Sequence, residues 1–387
     1  MSLILALQFL LNHNLNYKDG SDVMNTFGNN LKVTIFGESH GDQIGIVIDG
    51  LQSGLEINHN LIKEELTKRR PKSIYSTARQ ETDHYQIISG LYEGKTTGAP
   101  LTCLIPNNNK ISSDYQNLFE VPRPSHADYP AYIKFKGFND PRGGGMFSGR
   151  VTVAMMIVGA ISKQILNQKG IEIGSHILKI HHINDMSYPK TEQNVQLVKQ
   201  IQSMDFPLID STVEEPMRQV ILDAKNQEDS VGGIVETIIL NLPTGLGNPL
   251  FNSFESYFSS LLFSVPAIKG VEFGDGFDLT NHYGSEVNDH YQMTDSKITT
   301  TSNHNGGVLG GMTTGMPVII RTAIKPTPSI GKAQSSVNLK TKEQVMLEIK
   351  GRHDPAIVNR VVHVINAVTY YGVLDLLMGM NETEWVK

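Results

Sequence analysis

The pattern of apolar positions predicts strands spread along the whole chain. Residues 31–36 alternate apolar and polar side chains and include β-branched residues, and a second such run, residues 44–49, follows after a short loop bounded by glycines. Two strands with so short a connection predict a β-hairpin whose tip carries Glu38, Ser39 and His40. Comparable runs predict further strands at residues 85–92, 101–105, 171–180, 231–240 and 318–324.

Apolar residues at intervals of three and four predict helices between these strands. One helix is expected at residues 58–70, and a very apolar one runs from residue 151 to about residue 169, where Gly170 is a natural stop. The same periodicity predicts helices at residues 191–204, 214–229, 251–265 and 357–378. No fixed-period repeat or low-complexity linker interrupts the pattern, which favours one large domain.

Composition adds limits on class and location. The chain has 387 residues, of which 39% are hydrophobic, as in ordinary globular proteins, and no apolar run is long enough to span a bilayer. Cys103 is its one cysteine, which excludes an intrachain disulfide framework and makes a reducing cytoplasm the default. Residues 3–11 are apolar but lack the basic flank and cleavage site of a signal peptide. We interpret residues 1–23 as a flexible N-terminal extension and residues 24–387 as one domain.

Charge and arginine placement point to a small anionic ligand. The net charge of -6 argues against a general nucleic-acid or membrane partner, which would need a basic surface. Residues 142–150 combine a glycine run, a serine and two arginines directly before an apolar helix, which predicts an anion cradle rather than only a flexible turn. Most other arginines also lie in stretches marked by glycine, proline or histidine, and their forked guanidinium groups suit phosphate or carboxylate.

Two histidine segments are candidates for proton transfer. Residues 37–41 read Gly-Glu-Ser-His-Gly, which matches the nucleophile elbow of serine hydrolases, but a strand rather than a helix follows. The alternative is an exposed His40 between glycines that donates protons.

His126 is followed two residues later by Asp128, which suggests an oriented acid–base group, and no metal ligand set is evident. A serine hydrolase and a non-catalytic anion-binding protein remain alternatives. Asp354, before a proline, is a candidate helix N-cap.

Six segments, taken together, resemble the chorismate synthase family across residues 24–380. They are residues 37–41, the Arg-Pro-Ser-His-Ala-Asp of residues 123–128, the glycine run at 142–150, residues 303–311, the Lys-Pro-Thr-Pro-Ser of residues 325–329 and the Gly-Arg-His-Asp-Pro of residues 351–355. The resemblance implies an α+β fold with helices sandwiched between antiparallel β-sheets. It also implies a homotetramer that converts 5-enolpyruvylshikimate 3-phosphate to chorismate by 1,4-anti elimination of phosphate, with reduced FMN and no net redox change. It leaves open whether NADPH reduces the flavin.

The resemblance also assigns roles to individual residues. His40 corresponds to the acid that protonates the departing phosphate, His126 to the group that protonates the flavin, and Asp354 to a group assisting proton movement near it, with Ser39 and Ser148 as polar supports. The implied substrate-binding residues are Arg69, Arg79, Arg123, Arg150 and Arg352. The implied cofactor-binding residues are Met146, Phe147, Ser148, Pro266, Ala267, Gly310, Lys325, Pro326, Thr327, Pro328, Ser329 and Arg352.

The chain departs from the family pattern at two places. Ile74 stands where many members have an arginine before a tyrosine, so one basic substrate contact is lost or is moved to Lys72. Met146 and Phe147 replace an Arg-Ser pair, which leaves the flavin contact there to backbone atoms or to shape. Both departures are expected to change affinity rather than reaction type, because a charge-assisted hydrogen bond contributes about 1.5–3 kcal/mol.

Overall fold

The computed structural model describes residues 25–70, 83–107, 120–349 and 354–380. The helices are α1 His59–Lys68, α2 Asp128–Lys134, α3 Thr152–Gln168, α4 Val195–Gln202, α5 Glu214–Asn226, α6 Phe254–Phe263, α7 Gly284–Val287 and α8 Val358–Met378. The strands are β1 Thr26–Phe27, β2 Lys32–Gly37, β3 Gln43–Asp49, β4 Gln86–Ser89, β5 Leu91–Tyr92, β6 Lys95–Thr96, β7 Leu101–Pro106, β8 Glu172–Ile180, β9 Ile183–Asn184, β10 Gly233–Leu240, β11 Ile268–Phe273, β12 Tyr291–Thr294, β13 Lys297–Thr300, β14 Val308–Leu309, β15 Met312–Thr313, β16 Val318–Ile324, β17 Gln334–Val337 and β18 Gln344–Leu347. Short 3-10 helices lie at Arg142–Phe147, Gly149–Val151, Ser211–Val213, Leu250–Asn252 and Gly276–Asn281.

The first large sheet is antiparallel and has the strand order β1-β2-β3-β7-β4. Its strands β2 and β3 form the hairpin that the sequence predicts, with Gly37 opposite Ile44 next to the tip. On the other side of β3, strand β7 pairs so that Gln43 stands opposite Pro106. The tip of the hairpin therefore lies beside the end of β7.

The second large sheet is also antiparallel and has the order β11-β16-β10-β8-β9. Its register sets charged residues opposite one another on neighbouring strands. His176 of β8 stands opposite Glu236 of β10, which stands opposite Arg321 of β16. His176 and Glu236 are fully buried, so this row of charges lies inside the protein.

Two long helices, α3 and α8, form the centre of the core. They cross in direct contact, because a Cβ built on Gly159 of α3 would stand 2.4 Å from the Cβ of Ala367 on α8. Helix α8 contacts β8 and β10 of the second sheet, whereas α3 contacts β3 of the first. The helices are thus sandwiched between antiparallel sheets, which confirms the fold class that the sequence predicts.

Asp375, near the end of α8, joins this helix to the first sheet. Its buried carboxylate accepts backbone N–H groups of Asn29, Asn30 and Leu31 at 2.6–3.1 Å, and the hydroxyl of Tyr257 at 2.6 Å. A buried carboxylate needs such donors, since burial without them costs several kcal/mol. The contact fixes the start of the first sheet on the central helix.

Two segments, Gly149–Gln168 and Val358–Met378, are long and apolar enough by composition to cross a membrane. In the folded chain 78% and 83% of their apolar windows are buried against other elements. Such burial is typical of core helices in globular proteins, which are apolar on most sides because they contact neighbours all round.

Most predicted elements are found, with differences at their ends. The helix expected at residues 58–70 is α1, whose N-cap Asn58 accepts from the N–H groups of Asn60 and Leu61. The single strand predicted at residues 85–92 is wrong, because Gly90 has a φ of +80° and divides it into β4 and β5. The helix predicted at residues 191–204 is shorter and begins after its N-cap, Asn194.

Candidate active site

The glycine run folds as a tight loop in front of α3. Gly143, Gly144 and Gly145 have φ values of +60°, +88° and +53°, which side-chain-bearing residues rarely adopt. After the loop, Ser148 caps the following turn, and its Oγ accepts from the N–H of Arg150 at 3.2 Å. We call residues 143–145 the glycine loop, and it brings the backbone close to side chains from two other segments.

The first of these side chains is His40, at the tip of the β2–β3 hairpin. A Cβ on Gly143 would stand 2.2 Å from Cε1 of His40 and 2.8 Å from Oγ of Ser39. The N–H of Ser39 donates to the carbonyl of Gly145 at 3.1 Å. His40 is 2% exposed, so the prediction of an exposed histidine is wrong: the glycine loop, about a hundred residues further along the chain, packs on the hairpin tip.

The second is His126. A Cβ on Gly144 would lie 3.4 Å from both Cε1 and Nε2 of this ring, so His40 and His126 contact successive glycines of one loop. The two histidines that the sequence selects for proton transfer therefore lie at the same loop, although they are far apart in sequence. Histidine is the side chain most suited to exchange protons near neutral pH.

Asp128 orients His126, as the sequence suggests. Its Oδ1 lies 2.6 Å from Nδ1 of His126, and Nε and Nη2 of Arg123 donate to its two oxygens at 2.7 and 2.8 Å. Burial alone would raise the pKa of Asp128, but the hydrogen bonds from Arg123 and His126 outweigh it and hold this pKa well below its usual range. The ionised carboxylate selects the Nδ1–H tautomer, which leaves Nε2 toward the glycine loop.

Lys325 contacts two segments in which a residue other than glycine has a positive φ. Its N–H donates to the carbonyl of Ala267 at 3.0 Å, and its Nζ donates to the carbonyl of Ser125. Ala267 and Ser125 have φ values of +74° and +57°, a region that costs about 1–3 kcal/mol for residues other than glycine. Partial burial and nearby Lys269 lower the pKa of Lys325.

Several residues that the resemblance assigns to cofactor binding lie near Lys325. Ser329 Oγ accepts from Nη1 of Arg123 at 3.4 Å, and the carbonyl of Thr327 accepts from Ser230 Oγ at 2.7 Å. The residues that converge here with the His126 segment are Pro266, Ala267, Lys325, Pro326, Thr327, Pro328 and Ser329.

Gly310 is not part of this group. It lies in the β14–β15 turn before β16, whereas Lys325 follows the other end of that strand. Met146 is half-buried, and Phe147 is 38% exposed with its ring 6.4 Å from that of Phe135.

Three arginines surround Asp83, a residue that no sequence pattern singles out. Nη1 of Arg150 donates to Oδ1, and Arg69 Nη2 and Arg70 Nε lie 3.8 and 3.9 Å from Oδ2. The side chains of Arg69 and Arg150 are each 6% exposed. Three guanidinium groups gathered in one place suit a ligand that carries phosphate or carboxylate groups.

Asp354 lies near this arginine group but is not an N-cap. The N-cap of α8 is Ile357, and Asp354 instead accepts from Nη1 of Arg360 at 2.7 Å. Nε of the same Arg360 donates to the carbonyl of Arg69 at 3.1 Å, so Asp354 and the end of α1 share one partner. Arg79, Arg352, Lys72 and Ile74 lie outside the described residues.

Charged groups also surround the hairpin tip. Partial burial and the charge of Asp140 raise the pKa of Glu38, whereas a hydrogen bond from Arg142 lowers the pKa of Asp140. His40 also lowers the pKa of Asp140 by its charge. Among the described residues no group of three or more histidine, cysteine, aspartate or glutamate side chains could hold a metal ion. Ser39 precedes a strand rather than a helix, which a nucleophile elbow does not allow.

Comparisons with known proteins agree with this architecture. The sequence profile of the chorismate synthase family matches residues 31–378. The chain is 44% identical to a chorismate synthase of Methanocaldococcus jannaschii over 92% of its own length and 97% of that protein, and 43% identical to one of Pyrococcus abyssi over 91% and 97%. Its fold matches a crystal structure of chorismate synthase with a TM-score of 0.71 and 26% identity, over 91% of this chain and 93% of that one.

Proposed function

The chain belongs to the chorismate synthase family, and on that premise we propose how its site carries out the family's reaction. It is a carbon–oxygen lyase of the shikimate pathway, which eliminates phosphate from 5-enolpyruvylshikimate 3-phosphate to give chorismate. The finer assignments that follow are proposals for this chain.

His40 donates a proton to the departing phosphate, and His126, with Asp128 on its Nδ1, would hold a proton on Nε2 of its protonated ring for the cofactor. The observation that supports these roles is the contact of both imidazoles with successive glycines of one loop. Burial of His40 keeps water away from the proton that it delivers, and Asp128 holds His126 in one tautomer. Ser39, Ser148 and Asp354 support proton movement from the edges of the site.

The arginines bind the substrate. Arg69 and Arg150 converge with Arg70 around Asp83, and Arg123 lies beside His126. We assign the same role to Arg79 and Arg352, which lie outside the described residues. The substrate carries a phosphate and two carboxylates, and such groups pair with several guanidinium forks. This local concentration lets a protein with a net charge of -6 hold a highly anionic molecule.

Reduced FMN is the proposed cofactor, and the residues present fit it. Lys325 and Lys269 supply positive charge at the loop of residues 325–329, where Ser329 accepts from Arg123 and the carbonyl of Ser125 accepts from Lys325. When bound, reduced FMN supplies an electron-rich ring system beside the substrate without net redox change. The proposed holding residues are Met146, Phe147, Ser148, Pro266, Ala267, Gly310, Lys325, Pro326, Thr327, Pro328, Ser329 and Arg352.

We also propose a cytoplasmic homotetramer in which residues 24–387 form one catalytic domain. Gly310 lies in the β14–β15 turn, whose exposed apolar neighbours support this assembly. Around Gly310 the apolar residues Leu250, Phe251, Leu309 and Met312 are 82%, 90%, 39% and 36% exposed, and an interface would cover them.

Turnover under anaerobic conditions tests the function. The purified protein, mixed with reduced FMN and 5-enolpyruvylshikimate 3-phosphate, should release phosphate and chorismate. His40→Ala and His126→Ala should bind both ligands and lose turnover, whereas His182→Ala, in an exposed turn, should keep it. Wild-type turnover in either site variant would remove the role assigned to that histidine.

Two further measurements decide the open alternatives. Adding NADPH to the protein with oxidised FMN shows whether the enzyme reduces its own flavin, because the flavin absorbance is then bleached. Covalent labelling of Ser39 by a fluorophosphonate would instead favour a hydrolase. Binding of both ligands without any product would favour a non-catalytic anion-binding protein.

A further inference from the structure

Asn107 lies where the first sheet meets the His40 turn, which we define as residues 38–41. It follows β7 directly and is 6% exposed. Its backbone N–H donates to the carbonyl of Asp42 at 3.0 Å, one step beyond the Gln43–Pro106 pair of the ladder. The sheet thus fixes the backbone of Asn107, and its side chain lies against the turn.

The side-chain amide of Asn107 closes the His40 turn from both ends. Its Nδ2 donates to the carbonyl of Glu38 and to the carbonyl of Gly41, each at 3.0 Å. The turn's own backbone bond, from the N–H of Gly41 to the carbonyl of Glu38, joins the same two residues at 3.1 Å. Because these residues flank Ser39 and His40, Asn107 determines where the imidazole stands.

The oxygen of the same amide connects the turn to Arg150. Nε of Arg150 donates to Oδ1 of Asn107 at 3.0 Å. Arg150 follows the glycine loop, whose Gly145 carbonyl accepts from the N–H of Ser39 at 3.1 Å. The His40 turn is therefore attached to this segment at two points, and two attachments fix an orientation that one would leave free to rotate.

A side-chain amide is the chemical group that this position requires. It offers two N–H donors and one carbonyl acceptor in a plane, and all three are used here. Aspartate would keep the acceptor for Arg150 but would place an oxygen against two carbonyl oxygens. Serine has one O–H donor for two carbonyls. The three partners also decide which end of the amide is nitrogen.

We propose that Asn107 is a positioning residue for His40. Its amide holds the imidazole against the glycine loop and at a fixed position relative to the Arg150 guanidinium. The proposal rests on the proposed function of His40 as the proton donor. Both ends of its amide are occupied by the turn and by Arg150, so its substitution should change the rate of the proton-transfer step rather than substrate binding.

The test is Asn107→Asp, which keeps size and the Arg150 bond but removes both donors to the turn. We expect kcat to fall about 10- to 100-fold, with KM for the substrate within about threefold of wild type. The new carboxylate should also move the pKa of His40 upward, because a nearby negative charge favours the imidazolium. NMR of labelled histidine measures that pKa without any ligand, and His40→Gln identifies the signal.

The other charged groups around the turn stay the same in this variant. They are Glu38, Asp42, Asp140, Arg142 and Arg150. Gln202→Glu is the matched control, because Gln202 also links a cation to a backbone carbonyl: it accepts from Nζ of Lys163 at 2.6 Å and donates to the carbonyl of Ile173. The control should leave kcat and the His40 signal unchanged. If Asn107→Asp does not fold, Asn107→Ser removes donors without adding charge and should lower kcat and displace the His40 signal.

The outcomes separate the two proposals. A folded Asn107 variant with wild-type kcat and an unchanged His40 signal would overturn the positioning role. A loss that appears only in KM, or equally in Gln202→Glu, would overturn it as well. If wild-type protein binds both ligands but releases no phosphate, the proposed function fails, whereas the His40 signal of the ligand-free variants still decides whether Asn107 fixes the turn.

Discussion

Gly143 lies directly against the ring of His40. A Cβ added at Gly143 would stand 2.2 Å from Cε1 and 2.3 Å from Nδ1 of the imidazole, closer than any real Cβ contact. The φ of Gly143 is +60°, so a side chain there is disfavoured by the backbone as well as by space. The absence of a side chain at this glycine is what allows a buried histidine and a backbone loop to occupy adjacent positions.

Substitution of this glycine should therefore lower activity strongly, and the positive φ adds a stability cost of about 1–3 kcal/mol. Gly143→Ala must displace either the loop or the imidazole, and a displacement of about 1 Å can lower kcat about 100-fold. Gly284→Ala is the control, since Gly284 has an ordinary φ and open space around its Cβ position. Phosphate release and circular dichroism of both variants measure the effect, and a fully active Gly143→Ala would show that His40 does not need this contact.

Asp128→Asn should allow His126 to change between its two neutral tautomers. The amide keeps the shape of the carboxylate but loses the negative charge that accepts from Nδ1 and from Arg123. We expect kcat to fall at least about tenfold, with substrate binding retained. Nitrogen chemical shifts of His126 report the tautomer, and an unchanged spectrum would contradict the assignment.

Because the pKa of Asp128 is lowered in the folded protein, its contribution to stability is complete above about pH 4 and is lost as the pH falls further.

Asp83→Ala should destabilise the fold strongly. The substitution leaves buried Arg150 and Arg69 without their shared carboxylate, and removing one partner of a buried ion pair costs about 3–5 kcal/mol. Asp229→Ala breaks the exposed pair with Lys332 and should cost less than about 1 kcal/mol. Urea denaturation of both variants gives the comparison, and equal losses would mean that the arginine group does not depend on Asp83.

The buried His176 predicts a loss of stability as the pH rises. Burial lowers its pKa, but hydrogen bonds to Asp185 at 3.0 Å and Glu236 at 3.2 Å outweigh burial and raise the pKa above its ordinary value. The free energy of unfolding should be highest below about pH 6.5 and should fall as the pH rises through the folded-state pKa. His176→Gln, which cannot titrate, should flatten this dependence in urea denaturation between about pH 6 and pH 9, whereas exposed His181→Gln should keep it.

Local patterns were sufficient for most elements and for part of the site. The strand predicted at residues 318–324 is β16 to the residue, because Val318–Ile324 is rich in β-branched residues and lies between Pro317 and Lys325-Pro326. The apolar helix α3 ends beside Gly170 as expected. Asp128 could be recognised from the sequence, because it follows His126 by two residues and therefore lies near it in any fold.

Contacts between distant segments could not be read in the same way. Asn107 follows a strand, and nothing in its neighbourhood indicates that its amide will meet Glu38, Gly41 and Arg150. Asp83 gives even less local signal, because two of its arginine partners directly follow α1 and the third lies in the turn before α3. Such partners depend on how helices and sheets pack, which no short window of sequence contains.

The sequence by itself determined the order of the elements, the family and the residues that carry chemistry, because periodicity, glycine and proline positions and short motifs are local properties. Only the tertiary structure decided that His40 is buried and that both imidazoles lie on one glycine loop. These are properties of packing: they depend on which surfaces exclude water from one another, and residues more than a hundred positions apart contribute the atoms that do so.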